Sequence, residues 1–272
     1  MLLKRFPVAL SFIVLLGGIW NAAAQPGNGA EHHHYFLIAH RGGVVDSSKA
    51  ENSLPALQAA FARGYKMVEI DMRLTKDGVL IIHHDDNFKK YFGVDRKVSE
   101  MTWKEISTLK SDRGGSTVLR LEDVFTYCKG RMQVMIDNKI SGNDTVLFTK
   151  LIALLKKYEL DKAALMIGTD ESTDFFTGKI KLSCTRKQLE DNMRKQGYSP
   201  SNYYLFGSEL NREDVQWAKN NGILAVGVVN AWRYRNSNNV MAEAQKDIER
   251  LKSTGLSHFQ VDSRFDRFFF EK

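Results

Sequence analysis

"MVEIDMRLTKDGVLIIHHDD", residues 67–86, holds two strand-like runs separated by only Thr75-Lys76-Asp77-Gly78. Parallel strands need a crossover of a dozen or more residues, so this pair cannot be joined that way. Asp-Gly is a hairpin signal. Residues 79–84 are therefore expected to fold back, antiparallel, beside an extended strand at 66–72. That return brings residues 83–86 close to residues 69–72. The segment is the one break in a regular alternation. Strands are expected at 35–40, 66–72, 132–139, 163–168, 179–184, 202–207, 223–229 and 258–262. Helical patterns occupy 53–63, 120–128, 145–158, 186–196, 211–220 and 240–253. Gly64, Gly130, Gly197, Gly222 and Gly255 follow five of these helices, where glycine closes a helix without steric cost. Thr102 and Glu105 form a capping box for a further short helix. Strands alternating with helices in this way predict an α/β fold, a (β/α)8 TIM barrel with a small insertion (hairpin and short helix) after the second strand. A doubly wound sheet is the structural rival, and no glycine-rich phosphate fingerprint supports it.

The chain of 272 residues carries a formal charge of +7. Lys4 and Arg5, the apolar run Val8 to Trp20, and the small residues Ala22-Ala23-Ala24 read as a secretory signal peptide over residues 1–24. The apolar run is shorter than the roughly 20 residues of a membrane span. No cysteine lies near the cleavage site to carry a lipid. The mature protein is expected to be exported, periplasmic or secreted. Residues 25–34, with His32-His33-His34, read as a polar linker, and 35–272 as the folded domain. Without Lys4 and Arg5 the charge is +5, a mild excess that suits anionic substrates or a membrane surface, with a basic solvated surface the favoured reading. No dense Lys/Arg run with interleaved aromatics points to nucleic acid. Membrane contact is not expected. Cys128 and Cys184 have two readings, a disulfide or two buried thiols, and neither has metal-ligand spacing.

Strand parity locates the chemistry. Side chains alternate faces along a strand, so Val68 and Ile70 share one face while Glu69 and Asp71 share the other. With the apolar pair packed outward on helices, the two carboxylates point into the barrel. Unpaired carboxylates there repel one another and are costly to desolvate. A divalent cation, Mg²⁺ or Ca²⁺, relieves both problems. A buried salt-bridge network is the alternative. "VMIDNK" repeats the design: Asp137 and Lys139 share a face opposite Val134 and Ile136. Asp137 is a third candidate ligand, and Lys139 a candidate contact for a phosphate oxygen. His40 ends the first strand at the same mouth, Arg41 offers a planar fork for phosphate, and His84 returns on the hairpin. Two histidines, two cations and three carboxylates form a set that cleaves a phosphodiester. One group takes a proton from the attacking oxygen, another protonates the leaving oxygen, and cations offset the charge on the phosphoryl oxygens.

"AHRGG", "ENSLPALQAAFARGYKMVEIDMRLTKDGVLIIHHDD", "LRLEDVF" and "MIDNK" together closely resemble the glycerophosphodiester phosphodiesterase family, most strongly over residues 36–139. The resemblance implies a TIM barrel, a divalent cation, and hydrolysis of small-molecule glycerophosphodiesters to glycerol 3-phosphate and an alcohol. It implies His40 and His84 as the acid–base pair, and Glu69 and Asp71 as metal ligands. Arg41 matches the phosphate-binding arginine, and Glu51 and Asn52 match a Glu-Asn pair lining the site. His83 has the opposite parity from His84 and is expected to be a neighbour only. The chain departs from the family pattern in places. Asp137-Asn138-Lys139 stands where the family has Glu-x-Lys. Gly168-Thr169-Asp170 replaces Ser-Phe-Asp. Gly227 stands where the family has tryptophan, so an aromatic wall of the pocket is expected to be missing, with Trp232 nearby to compensate.

The mechanism expected from these residues has the metal and Arg41 holding the phosphate. One histidine, taken as His40, deprotonates a nucleophile, and the other, taken as His84, protonates the leaving alcohol. The nucleophile is either the neighbouring glycerol hydroxyl, giving a cyclic phosphate, or water. Two rivals stand beside this reading. One is a phospholipase or a sphingomyelinase D-like phosphodiesterase or lyase acting on lipid. For it, Phe88, Tyr91 and Phe92 would form an apolar rim and "RFFF" at 267–270 would face a membrane. The other is a barrel that binds a phosphorylated ligand without turning it over.

Overall fold

The computed structural model describes residues 35–270. Eight parallel strands form a closed barrel: β1 (Phe36–Ala39), β2 (Met67–Leu74), β3 (Gln133–Asn138), β4 (Leu165–Ile167), β5 (Lys181–Cys184), β6 (Tyr203–Gly207), β7 (Leu224–Val229) and β8 (His258–Val261). Each strand pairs with the next, and β1 pairs with both β2 and β8, which closes the ring. All eight lie where the hydrophobic pattern places them, seven of them trimmed by up to three residues and β2 running on to Leu74, two residues past its expected end. Helices α1 (Leu54–Ala62), α2 (Leu121–Cys128), α3 (Thr145–Lys157), α4 (Thr173–Phe176), α5 (Arg186–Met193), α6 (Arg212–Asn220) and α7 (Val240–Ser253) follow the first seven strands. A short 3-10 turn, Asp266–Phe268, follows the eighth.

The alternation of side chains sorts the core into two layers. Ile38, Met67, Met135, Leu165, Tyr204 and Val226 fill the barrel interior. Val68, Ile70, Val134 and Ile136 face outward and join the larger core under the helices. Parity therefore turns Glu69, Asp71 and Asp137 inward, above the Met67 and Met135 layer. Asp71 stands directly beside Asp137 in the β2–β3 register.

The insertion between β2 and α2 folds as the Asp77-Gly78 signal demands. Leu80–Ile82 pairs antiparallel with β2, and Leu119–Arg120 pairs with it in turn. Gly78 takes a φ of +80° at the turn. The Thr102–Glu105 capping box starts the helix Trp103–Ile106. Ile81, Phe88, Val98, Met101, Ile106 and Val118 give the insertion a small core of its own. The apolar rim that a lipid substrate would need is therefore not formed, and these aromatics pack the insertion. Phe88 and Tyr91 are buried, and Phe92 packs on the same core, because the short strands of the insertion have no other apolar mass to fold around. "RFFF" does not form a membrane-facing patch either: Phe269 is buried, and Phe268 and Phe270 pack on the main core. No helix among the described residues is long and apolar enough to cross a membrane. Cys128 and Cys184 are both free buried thiols, and burial pushes Cys128 up to about 12. The signal peptide and the whole linker read from the sequence lie outside the described residues.

Candidate active site

The β1–α1 turn builds one wall of the barrel mouth. Arg41 adopts a left-handed conformation (φ 52°, ψ 49°), which is uncommon for a residue with a side chain. Its geometry is held at both ends. The Arg41 N–H donates to Glu69 Oε2 at 2.7 Å, and the Asn52 N–H donates to the Arg41 carbonyl at 2.8 Å. Gly42 makes this approach possible, since a Cβ there would lie 2.5 Å from Asn52 Cα. Asn52 Nδ2 in turn donates to Asp71 Oδ2 at 2.9 Å. "HRGG" and "EN" are thus two halves of one knot tied to the two carboxylates of β2.

The hairpin supplies the facing wall. Arg73, on β2, donates to the carbonyls of His83 and His84 at 2.7 to 3.2 Å, and the His83 N–H donates to the Asp71 carbonyl. The chain is pinned there, and parity then separates the two rings. His83 is buried, contacts the Asn87 carbonyl through Nε2 and lies against Phe88. Burial holds it below the usual imidazole range, so it is a neutral packing residue, as expected. His84 points to the mouth. Its Nδ1 is 2.7 Å from Asp85 Oδ1, and its Nε2 is 3.0 Å from Arg41 Nη2. An arginine can only donate, so His84 Nε2 is the acceptor in this contact and its Nδ1–H faces Asp85.

His40 is anchored in the same manner. Its Nδ1 is 2.6 Å from Asp262 Oδ1, just beyond β8. Burial works against charge on Asp262, but His40, the Ala231 N–H and Arg41 outweigh it and hold this carboxyl below its ordinary value. Asp262 therefore remains an anion and fixes the ring with Nε2 toward the mouth. Asn230 Nδ2 lies 3.5 Å from that nitrogen, and Glu69 Oε2 lies 3.9 Å from it.

One carboxylate oxygen from each of Glu69, Asp71 and Asp137 lies within 4.8 Å of the others. Lys139 reaches Asp137 at 2.6 Å and Asp71 at 3.6 Å. It is the one lysine or arginine side chain within ion-pair distance of the trio among the described residues. Both sequence readings are therefore present: a salt bridge, and a cluster whose negative charge exceeds it. Burial, together with Asp71 and Asp137, raises Glu69 well above the usual carboxylate range. Burial raises Asp137 as well, against the pull of Lys139. Three hard oxygen donors in that state fit a divalent cation such as Mg²⁺ or Ca²⁺. Asp137, though a methylene shorter than glutamate, reaches the cluster from its place beside Asp71.

The raised Glu69 gives a stability prediction. A carboxyl whose folded value lies above its unfolded value stabilises the protein at low pH, and that contribution is lost as pH rises through the folded value. The Tm of EDTA-treated protein is expected to fall as pH is raised from about 5 to about 8, and saturating divalent cation to remove most of the fall. A flat metal-free curve in differential scanning calorimetry contradicts the clustered carboxylates.

Arg41 Nη1 and Lys90 Nζ both reach Glu51 Oε2, at 3.1 and 3.0 Å, and the Tyr91 hydroxyl donates to the same oxygen. Glu51 Oε1, Arg41 Nε and Asn230 Oδ1 are buried without a hydrogen-bond partner among the described residues. Three such atoms at one mouth mark a place built for a polar ligand. A cavity of about 370 Å³ opens there, beside His40, Arg41, Glu51, Tyr91, Trp232 and Asp262. Gly227 does not border it. A Cβ at Gly227 would meet Leu256 and Phe259 in the outer core, so the glycine removes no pocket wall. Trp232 does border the cavity, but by position rather than as a replacement. The sequence reading missed Asp262 and Lys90. For Asp262 a signal exists: "FQVD" ends a strand in aspartate as "VEID" and "MID" do.

Comparison with known proteins agrees with this geometry. Residues 40–259 match the model of the glycerophosphoryl diester phosphodiesterase family. A lysophospholipase D of Rattus norvegicus is 30% identical over 134 residues, 45% of this chain and 41% of that protein. The chain thus aligns with less than half the length of that relative. The crystal structure of a glycerophosphoryl diester phosphodiesterase from Parabacteroides distasonis shares the fold, with a TM-score of 0.70 at 20% identity, covering 86% of this chain and 85% of that one. An Oleispira antarctica phosphodiesterase, solved in complex with its product sn-glycerol-3-phosphate, has a TM-score of 0.65 at 18% identity, covering 86% and 96%. The family match spans both walls of the mouth, six whole barrel strands and the first half of β8, and on that match the chain belongs to the glycerophosphoryl diester phosphodiesterase family.

Proposed function

We propose that the protein hydrolyses glycerophosphodiesters to glycerol 3-phosphate and an alcohol, with a divalent cation bound by Glu69, Asp71 and Asp137. One observation carries this reading. Two histidines, each with Nδ1 on a carboxylate, flank a half-buried arginine beside an acidic cluster. The Oleispira antarctica relative, bound to sn-glycerol-3-phosphate, supports the product. The charged lining of the mouth and the burial of the insertion's aromatics favour a small polar substrate over a lipid.

The residues divide the work as follows. Arg41 places its guanidinium on the phosphoryl oxygens, and Glu51 and Asn52 hold that arginine and the β2 carboxylates in place. The cation supplies Lewis-acid polarisation of the phosphate when bound. Lys139 keeps the cluster's charge low and reaches toward a phosphoryl oxygen. His40, held by Asp262, accepts the proton of the attacking oxygen at Nε2 as the new P–O bond forms. With Arg41 drawn onto the phosphate and off His84 Nε2, that nitrogen takes up a proton from solvent, with Asp85 facing Nδ1–H, and passes it to the leaving alkoxide as the old P–O bond breaks. The attacker is water, or the adjacent glycerol hydroxyl followed by hydrolysis of the cyclic ester. Asp262 acts through His40, as a positioning residue. Asp262→Asn is expected to lower kcat by roughly 10²-fold or more with KM little changed, because the His40 ring loses the carboxylate that fixes its Nδ1–H and leaves Nε2 free to accept a proton. A loss carried by KM with kcat unchanged assigns Asp262 a purely structural role.

The substrate class is tested by offering glycerophosphocholine and lysophosphatidylcholine to the same metal-loaded enzyme and measuring choline release. Preference for glycerophosphocholine is expected. Preference for the lysophospholipid moves the protein to the activity named for its Rattus norvegicus relative. Export is part of the proposal, and N-terminal sequencing of the mature protein beginning at Gln25 is its test.

A further inference from the structure

Arg113 is held at the mouth by contacts that have no part in the acid–base site. Ser111 Oγ donates to the Arg113 carbonyl at 2.6 Å, and the Asp112 N–H donates to the Tyr91 carbonyl at 2.7 Å. Gly114 has a φ of +68°, and a Cβ there would lie 2.5 Å from the Ser48 carbonyl oxygen. The insertion loop thus presses on the β1–α1 loop at a contact that only glycine permits. Arg113 Nη1 donates to the Asp46 carbonyl at 3.2 Å, and its guanidinium lies over the Tyr91 ring at 5.0 Å. Arg264, just after β8, borders the same cavity and lies against Phe265.

Charge accounting singles out these two residues. Asp262 is matched by His40, and Asp46 by Lys49. Glu51 is shared by two cations, Arg41 and Lys90. Arg113 and Arg264 have no ion pair among the described residues, although both border the cavity beside His40. Two guanidinium groups with no protein carboxylate leave planar donor forks for a ligand, in a geometry suited to phosphate. A phosphodiester held at His40 and Arg41 has two arms, and this cavity adjoins the reacting centre.

We propose that the cavity beside His40 selects phosphodiesters in which the arm lodged there carries a second phosphate group, recognised by Arg113 and Arg264. The inference rests on the phosphodiesterase reading. Its test uses glycerophosphoinositol 4-phosphate and glycerophosphoinositol, which differ only in that phosphate, with glycerophosphocholine as the reference substrate. At low salt the wild-type kcat/KM is expected to favour the 4-phosphate by roughly tenfold. In Arg113→Gln/Arg264→Gln the ratio falls to within about twofold of unity, and Gly114→Ala lowers it by displacing Arg113 with no change of charge. Should Gly114→Ala not fold, the exposed Arg264→Gln alone is expected to lower the ratio. Turnover of all three substrates with equal preference in the wild type overturns the inference and leaves the phosphodiesterase reading standing. So does a preference that survives in the double variant. No turnover of any of the three overturns both.

Discussion

His84→Ala is expected to lower kcat by about 10³-fold, within the 10²–10⁴ range of positioned acid–base groups, while the melting transition stays close to wild type. The fold tolerates the loss because the hairpin is held by main-chain groups. Arg73 binds the carbonyls of residues 83 and 84, and β2 pairs with Leu80–Ile82 whatever side chain stands at position 84. Among the described residues the ring itself hydrogen-bonds only Asp85 and Arg41. His40→Ala should cost a similar factor. The double variant should cost far less than the product of the two, because the histidines serve one proton relay and lose it together. Near-normal turnover in either single variant, measured at saturating substrate, removes that histidine from the mechanism.

Glu69→Gln is the second large effect, and it carries two opposite signs. Glutamine keeps the volume and still offers an oxygen to the Arg41 N–H, but it removes one of the two fully buried carboxyls of the acidic trio. Activity is expected to fall by about 10³-fold, with metal affinity weakened at least tenfold by titration calorimetry. Metal-free stability is expected to rise, because burial, Asp71 and Asp137 raise Glu69 well above the usual carboxylate range, and the variant avoids the cost of ionising that group as pH rises. A variant that loses activity and loses metal-free stability together would show the trio to be a structural salt-bridge network instead.

Much of this site was legible along the chain because its information is local. Period-two alternation places Glu69, Asp71 and Asp137 on one face, and a four-residue turn too short for a crossover places His84 beside them. What was not legible depends on closing the ring. Asp262 meets His40 across a separation of 222 residues, a pairing set by the β1–β8 register rather than by any local pattern. Arg113 and Lys90 reach the mouth only because the insertion folds around its own small core and leans on the β1–α1 loop. The same core explains why Phe88 and Phe92 face inward and not toward lipid. Gly227 was misplaced for want of parity. It alternates with Val226, which faces the barrel interior, and so looks outward onto Leu256 and Phe259.

The most direct test of the account is release of glycerol 3-phosphate from glycerophosphocholine, followed by a coupled enzymatic assay on the mature protein with EDTA, Mg²⁺ or Ca²⁺. The account predicts turnover with at least one of the two cations, loss of it in EDTA, and its return when the cation is restored. Undiminished release in EDTA, or no release with the cation bound and the fold intact, would contradict it.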